Sequence, residues 1–387
     1  MAHAKRRVTA DGHIRFTAVY LDPDERERSA GTFDAKRVAE RAARVAEEAV
    51  RNGGWIDPSH GRIKFRDYVE RYWWPSRHLE LSTRAGYRSY LDKHFIPYFG
   101  EKPMSAIAPS TVQAWVTSAC AAGLAPQSVV KYHVMLHGIF KRAVRDRVIV
   151  RNPCSDTELP KVVAKRLRIL APEEFDRLLE FLPARYLPMV LTEIETGLRW
   201  GELIALRPQD IDFLRRIIAV ERVVVEVSRK ISPTGERMVI KGYPKDNEPR
   251  SIRVSQELIQ TLSLQMQALK LDLDDLLFSS TGRAGGRPLS RNTFRTRIWL
   301  PALEKAQLGF HVRFHDLRHA HASWALAGGA DLKAVMDRLG HAQITTTQRY
   351  LHTLPESDEL ALAAFGRTRT RAASGEAAAI SHGPHAQ

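Results

Sequence analysis

The most informative stretch of the sequence runs from His315 to Tyr350: 315-HDLRHAHASWALAGGADLKAVMDRLGHAQITTTQRY-350. His315 and Arg318 are three positions apart, so on a helix they share one face, opposite the apolar side of the segment HASWAL. His341 follows a leucine–glycine pair, and Tyr350 comes nine residues later. The stretch therefore predicts a helix that displays a histidine and an arginine, followed by a segment that carries a second histidine and a tyrosine.

A second motif, TGLRWGEL at 196–203, lies upstream of this stretch. Its glycines permit a tight backbone path into a helix, which would present Arg199 and Glu202 about one turn apart. Between the two motifs, the β-branched runs IIAVERVVVEV and RSIRV flank a polar, turn-rich insert and predict a hairpin. Lys245 lies on this hairpin.

Each of these residues also has an ordinary structural explanation. Arg199 and Glu202 could form a surface salt bridge worth under about 1 kcal/mol. His315 could be a core histidine bonded to a carbonyl, His341 a helix cap and Tyr350 a packed ring. Each explanation is the better one for its residue taken alone. Only the order and spacing of the whole set outweigh them.

The order Arg, Lys, His-x-x-Arg, Gly-His, Tyr resembles the tyrosine recombinases, and the phage integrases above all. The segments TGLRWGEL, HDLRH, LGH and YLH carry the resemblance, which covers residues 170–355. The helical region 62–153 resembles the core-binding domain of the family. Residues 1–60 look like the arm-binding module of larger integrases, although their 11 Lys and Arg against 10 Asp and Glu depart from the basic character of a DNA-binding surface.

The resemblance implies DNA cleavage and rejoining without a metal, a cofactor or ATP. Tyr350 would attack the scissile phosphate in line and leave a 3′-phosphotyrosine and a free 5′-hydroxyl. Arg199 and Arg318 would bind phosphate oxygens, because a planar guanidinium matches two oxygens and keeps its proton. His341 would add a hydrogen bond. The covalent link conserves the energy of the phosphodiester, in keeping with a sequence that has no P-loop motif.

The remaining residues would handle protons and orientation, again as the resemblance implies. Lys245 would protonate the leaving 5′-oxygen, an alkoxide too basic to depart unaided. Lys241 competes with it for this role because it lies on the same predicted hairpin. His315 would take or hold the proton of the attacking tyrosine. Glu202 would orient the first arginine or this histidine.

The charge of the chain indicates a polyanionic partner. The formal net charge is +15 at pH 7, and a protein that neutralises phosphates gains free energy from counterion release. Residues 61–160 hold 15 Lys and Arg against 8 Asp and Glu, and residues 161–355 hold 30 against 22. These two adjacent segments carry nearly all of the excess positive charge. This distribution is what we expect of two domains that grip one ligand from two sides. The resemblance implies that this polyanionic partner is double-stranded DNA.

The pattern of apolar residues predicts the local structure. Alternation over residues 12–20 predicts a strand, and the Ala-rich stretch 34–50 predicts a helix capped by Asp34. Further on, aromatic and aliphatic residues recur at the spacing of one helix face. These residues are Phe65, Tyr68, Val69, Tyr72 and Trp73.

The fold class that follows is multidomain, mainly α with small β-sheets. The chain predicts five consecutive parts. They are a small sheet-plus-helix module at 1–60, a helical-bundle core-binding domain at 62–153, a basic linker at 154–169, a mixed α+β catalytic domain at 170–355, and a partly disordered C-terminal segment at 356–387.

The sequence also predicts where the protein works. No stretch approaches the ~18 apolar residues that cross a bilayer, and no apolar run follows Lys5, Arg6 and Arg7 as it would in a secretory signal. Cys120 and Cys154 do not have the spacing of metal ligands. We expect a cytoplasmic, nucleoid-associated protein encoded by a bacterium or a phage, with no membrane partner.

The resemblance further implies a homotetramer on two DNA sites, together with accessory DNA-bending or directionality factors. After Tyr350, an apolar pattern predicts a C-terminal element that docks on a neighbouring protomer. Packing against its own protomer is the alternative. The pattern consists of Leu354, Leu360, Leu362 and Phe365.

Three other functions are open at this stage. A type IB topoisomerase shares the tyrosine chemistry, and strand exchange between two duplexes would distinguish a recombinase from it. A non-catalytic DNA-binding protein on an integrase scaffold is disfavoured because every catalytic position is filled. A basic RNA-binding protein would carry aromatic platforms among glycines, and the sequence shows none.

Overall fold

The computed structural model describes residues 2–57, 59–163, 168–242, 249–340, 343, 347–348 and 365–366. The chain forms two compact units, residues 1–163 and 164–387. Among the described residues, none of the helices combines the length and the apolar character that crossing a lipid bilayer requires.

The first unit begins with a three-stranded antiparallel sheet covered by one helix. Helix and sheet meet through small side chains, since Ala39 and Ala43 of the helix pack with Ala18 of the sheet and all three are fully buried. The strands pair in chain order. The elements are β1 (His3–Val8), β2 (Ile14–Leu21), β3 (Glu27–Phe33) and α1 (Lys36–Arg51).

The predicted cap of α1 is wrong. Asp34 does not bond the first turn of the helix; its carboxylate pairs instead with Nε of Arg15 on the neighbouring strand at 2.9 Å. The residue before the helix is Ala35, whose side chain has no acceptor. A cross-strand cation therefore outcompetes the free backbone N–H groups for this carboxylate.

The rest of the first unit is a helical bundle with an aromatic core. Of the predicted stripe, Tyr72 alone is exposed, at 53%. A π-helical turn spans Val69–Trp73. Because a wider turn changes the angle between successive side chains, Tyr72 leaves the buried face while Trp73, which also belongs to the predicted stripe, stays on it. The helices are α2 (Phe65–Tyr68), α3 (Leu81–Tyr90), α4 (Ile96–Phe99), α5 (Pro109–Ala121) and α6 (Pro126–Arg145), with a second π-helical turn at Leu91–Phe95.

The second unit packs helices around two small antiparallel sheets, one of order β4-β5-β8 and one formed by β6 and β7. Its core is continuous from Leu170 to Ala320. The strands are β4 (Ile211–Asp212), β5 (Ile217–Val220), β6 (Arg222–Glu226), β7 (Met238–Gly242) and β8 (Arg250–Arg253). The helices are α7 (Pro172–Leu179), α8 (Leu187–Thr196), α9 (Trp200–Leu203), α10 (Gln256–Leu269), α11 (Arg291–Phe294), α12 (Leu300–Ala306), α13 (Asp316–Ala327) and α14 (Leu332–Leu339), with a π-helical turn at Arg295–Trp299.

The predicted hairpin is more elaborate than the sequence pattern indicates. The run 217–227 divides at Glu221 into two strands that belong to different sheets. Arg222, the first residue of the second strand, pairs with the buried carboxylate of Asp210. This ion pair ties the start of β6 to the residue that precedes β4.

The predicted fold class, multidomain and mainly α with small β-sheets, is confirmed. The finer domain boundaries stay predictions. The C-terminal segment 356–387 lies outside the described residues, apart from residues 365–366.

Two glycines of the TGLRWGEL motif let several elements approach one point. Gly197 ends α8 in the left-handed conformation, at φ = 63°. A Cβ on it would lie 2.7 Å from the side chain of Leu339 and 2.8 Å from that of His321. A Cβ on Gly201 would lie 2.5 Å from the carbonyl oxygen of Val224. The ends of α8 and α14, together with α13, therefore meet next to Arg199, with β6 packed closely against α9.

Candidate active site

Glu202 is the central anion of the candidate site. Its side chain is fully buried. Oε2 accepts hydrogen bonds from the backbone nitrogen of Arg199 at 2.9 Å and from Nη2 of Arg250 at 2.7 Å, and Oε1 accepts from Nη1 of Arg199 at 2.9 Å. A buried carboxylate is tolerated only when it is paired. The contact with Arg199 is therefore not the surface salt bridge that the motif alone would allow.

Arg199 is held at both ends of its guanidinium group. Besides its bond to Glu202, Nη2 donates to the carbonyl oxygen of Gly340 at 2.9 Å. The side chain remains 39% exposed, so part of the guanidinium faces solvent. A buried carboxylate and a helix-end carbonyl fix the orientation of the guanidinium. The Arg199 side chain therefore loses little conformational entropy when an anion binds.

Arg318 is almost fully buried, at 2% exposed. Nη1 donates to the carbonyl oxygen of Gly197 at 2.5 Å, and Nη2 donates to that of Leu339 at 2.6 Å. Both carbonyls lie at the C-terminal ends of helices, where the helix dipole favours a cation. Burial, followed by the nearby charge of Arg199, lowers the pKa of Arg318 to about 10, so the guanidinium stays charged at neutral pH.

Arg250 was not predicted from the sequence as a site residue. It lies on β8, donates from Nη2 to Glu202, and donates from Nε to the carbonyl oxygen of Arg338 at 2.9 Å. The sequence contains a signal that could have identified it. Arg250 stands two positions before the fully buried Ile252 and so lies on the same face of the strand. It is the third guanidinium of the cluster.

His315 directly precedes α13. Its ring meets that of His319 edge to face, with centroids 5.0 Å apart. Asp316 holds this turn in place by accepting hydrogen bonds from Arg313. Desolvation by the surrounding protein, with the nearby charges of His319 and Arg318, lowers the pKa of His315 to about 4. The imidazole is therefore neutral at physiological pH and has a nitrogen that accepts a proton.

A cavity of about 430 Å³ adjoins the cluster. Arg199 and His315 both line it, so the structure brings these two predicted residues to one space. Its wall also contains Glu193, a buried carboxyl that was not predicted from the sequence. The rest of the wall is aromatic and cationic, and includes Trp200, Phe294, Trp299, Phe314, Arg291 and Arg295.

Three of the predicted site residues, Lys245, His341 and Tyr350, lie outside the described residues. The carbonyl of Gly340, the residue before His341, is bonded to Arg199. Lys241, the alternative to Lys245, lies on β7 opposite Val223. The choice between the two lysines stays open.

Comparisons with known proteins agree with this architecture. Residues 168–357 match the phage integrase family, and residues 64–119 match the SAM-like N-terminal domain of phage integrases. A putative prophage phiRv2 integrase of Mycobacterium tuberculosis is 29% identical over 354 residues, which cover 89% of this chain and 90% of that protein. Among solved structures, the integrase of transposon Tn1549 in complex with transposon right end DNA has a TM-score of 0.65 at 19% identity, over 79% of this chain and 99% of that one.

A lambda integrase tetramer bound to a Holliday junction has a TM-score of 0.55 at 22% identity, over 88% of this chain and 96% of that one. Together with the two family matches, these similarities settle the class of protein. The chain belongs to the phage integrase family of tyrosine recombinases. It is accordingly an enzyme that breaks and rejoins DNA strands at specific sites.

Proposed function

We propose that the protein integrates or excises a phage or another mobile element by cutting and rejoining duplex DNA through a 3′-phosphotyrosine at Tyr350. One observation carries this proposal. Arg199 and Arg318, 119 positions apart in the sequence, are both fixed at one point by carbonyl groups at the ends of α8 and α14 and by Glu202. Two immobilised guanidinium groups form a binding site for a phosphate.

The roles of the side chains follow from this placement. The two arginines would stabilise the negative charge that grows on the phosphate during in-line attack. Glu202 would orient Arg199, the role that its two hydrogen bonds to that residue support. His315, whose imidazole is neutral at physiological pH, would take or hold the proton of the attacking hydroxyl. His341 would donate a hydrogen bond to the phosphate.

The cleavage step requires two proton transfers, and a lysine would supply the proton of the second. The oxygen of Tyr350 bonds to phosphorus as its proton leaves towards His315, and the bond to the 5′-oxygen breaks. Lys245, or Lys241 in its place, donates a proton to the departing oxygen. Ligation reverses each transfer on a 5′-hydroxyl of the partner duplex, so no external energy source is needed.

Duplex DNA carrying an attachment site is the proposed substrate, with four protomers acting on two such sites. The Tn1549 integrase structure contains DNA, and the lambda integrase structure is a tetramer on a Holliday junction. Accessory bending or directionality factors are proposed partners. We infer a cytoplasmic location, because that is where a bacterial chromosome is accessible.

The experiment that tests the function uses a suicide substrate, a duplex attachment site with a nick next to the cleavage position. The short fragment beyond the nick diffuses away after cleavage, so the covalent intermediate accumulates. We expect a protein–DNA adduct that resists denaturant, and strand exchange when a second duplex site is added. Relaxation of supercoils without strand exchange would indicate a topoisomerase instead.

The salt dependence of DNA binding is the first prediction. Both basic segments, 61–160 and 161–355, should neutralise phosphates, and each contact releases counterions. We expect affinity for a single site to fall by about 10³-fold or more between about 50 and 200 mM salt, as for a protein with six or more phosphate contacts. Fluorescence anisotropy across a salt series measures the slope. A slope near zero would rule out this mode of binding.

The second prediction concerns assembly. We expect the chain truncated after residue 355 to bind a single site normally but to lose cooperative pairing of two sites, because the removed segment would dock on a neighbouring protomer. Gel-shift titration on single and paired sites separates the two effects. Leu360→Ala in the full chain is the companion variant, and it should weaken pairing in part. Normal recombination by the truncated protein would favour docking within its own protomer.

A further inference from the structure

Glu193 has an unusual position on α8. The residue is 1% exposed, and its Oε2 has no hydrogen-bond partner among the described residues. It lines the same cavity as Arg199 and His315. Most buried carboxyl groups are fully hydrogen-bonded, as Glu202 is. Glu193 is therefore held beside the active site without the hydrogen bond to Oε2 that would help to stabilise its ionised form.

The charges that face Glu193 come from four other elements. They are Arg318 on α13, Glu202 on α9, Arg291 on α11 and Arg250 on β8. Burial outweighs the attraction of these cations and raises the pKa of Glu193 well above its ordinary value of 4.5. The other charged or titratable groups on the cavity wall are Arg199, Arg295, His311, Arg313 and His315.

The protonation state of Glu193 changes the charge balance of the cluster. Arg199, Arg250 and Arg318 supply three positive charges, and Glu202 supplies one negative charge. With Glu193 neutral, the excess is two positive charges; with Glu193 ionised, it is one. A phosphodiester carries one negative charge, and attack by a tyrosine oxygen brings the reacting group to two. With Glu193 neutral, the cluster therefore offsets more of the negative charge that develops in the transition state than it does with Glu193 ionised.

We propose that Glu193 is a positioning residue of the active site, whose carboxyl holds a proton while the scissile phosphate is bound and so leaves the guanidinium groups of Arg199 and Arg318 available to the phosphate. The proposal rests on the phosphate-binding role proposed above for these arginines. When Glu193 loses its proton to water in the cavity, the carboxylate competes with the phosphate for the charge of Arg318. Cleavage should then slow as the pH rises.

The test compares neutral variants with the wild-type protein across pH. Glu193→Gln keeps the shape of the side chain and cannot ionise, and Glu193→Met is a second neutral variant of similar length. Glu195→Gln is the matched control. It removes a carboxylate from the same helix, but from a residue whose two oxygens bond the backbone nitrogen and the hydroxyl of Ser255.

The readout is the single-turnover rate of adduct formation on the suicide substrate as the pH is raised from about 6 to about 9.5, the direction in which burial shifts the ionisation of Glu193. We expect the wild-type rate to fall at the alkaline end by about tenfold relative to Glu193→Gln, which is less than the loss of a direct contact to the transition state costs. The two proteins differ only at residue 193, so a difference between their pH profiles reports on Glu193. The Glu195→Gln profile should follow the wild type.

A second measurement does not depend on activity. The folded protein binds the proton of Glu193 more tightly than the unfolded chain does. The contribution of Glu193 to stability should therefore be fully present below the ordinary carboxyl pKa of 4.5 and be lost as the pH rises through the raised folded-state pKa. Glu193→Gln lacks this loss. The melting temperature of Glu193→Gln minus that of the wild type should therefore increase as the pH rises.

The outcomes separate the two proposals. A wild type that forms the adduct, with a pH profile that Glu193→Gln and Glu193→Met both share, would overturn the role of Glu193 and leave the recombinase function intact. A wild type that forms no adduct on any tested site would overturn the function, and the role of Glu193 with it. A stability difference that is constant across pH would show that Glu193 does not hold its proton in the fold.

Discussion

Arg199→Lys is expected to cleave DNA about 10²-fold more slowly than the wild type, or worse, and to bind its site almost normally. A lysine keeps the positive charge, but its three N–H donors share one nitrogen and cannot span the positions of Glu202, the carbonyl of Gly340 and a phosphate oxygen as the planar guanidinium can. The side chain is 39% exposed, so the substitution should leave the fold intact. Adduct formation and anisotropy on the same substrate measure the two effects.

Arg318→Lys should lose cleavage to a similar degree and should also lose stability. Arg318 satisfies the carbonyls of Gly197 and Leu339 together, and a lysine leaves one of these buried acceptors without a donor. The cost should be about 1–3 kcal/mol of the free energy of unfolding. Urea denaturation measures this cost, and cleavage is then assayed where the variant is folded.

Arg215→Lys is the control for both substitutions, because Arg215 is 79% exposed and pairs with Asp212 only at the surface. It should alter neither stability nor cleavage. Cleavage at a near-normal rate by a folded Arg199→Lys or Arg318→Lys would show that the assigned phosphate-binding role is wrong.

These two arginines also show what the sequence predicts well. The motifs TGLRWGEL and HDLRH place Arg199 and Arg318 next to helix termini through local glycine and turn chemistry, which is encoded within a few residues. The predicted fold class depends on apolar periodicity, which is equally local. Both kinds of information can be read from a short window of sequence.

Arg250 and Glu193 show what such windows do not contain. Arg250 belongs to a basic strand, and only the pairing of β5 with β8 and the approach of α9 turn it towards Glu202. Glu193 lies on a helix that is buried on most sides, a position where an isolated glutamate is expected to face solvent. Its burial results from the packing of α8 against α13, which is more than a hundred residues away in the sequence.

The predicted features that failed have a similar cause. Asp34 is a good cap by residue type, but the neighbouring strand offers it Arg15. Tyr72 fits a regular helical face, but the π-helical turn at Val69–Trp73 breaks the 3.6-residue period. In each case a tertiary contact or a local change of helix geometry overrides a valid local preference.

Tyr350→Phe has the largest expected effect, complete loss of the covalent protein–DNA adduct. The change removes one oxygen and almost no volume, so fold and DNA affinity should survive. A tyrosine hydroxyl with an ordinary pKa of ~10 is a weak nucleophile at neutral pH. The cationic cluster of Arg199, Arg250 and Arg318 would supply the field that stabilises its phenolate.

The matched controls are the other two tyrosines of the same unit. The ring of Tyr186 packs edge to face against that of Phe294, with the ring centroids 5.4 Å apart. Tyr243 lies outside the described residues. Neither follows a Gly-His pair at the spacing that Tyr350 has. Tyr186→Phe and Tyr243→Phe should both form the adduct, seen as a band of reduced mobility that resists denaturant. If Tyr350→Phe still forms that band, another residue is the nucleophile, and a mass spectrum of the DNA-linked peptide would identify it.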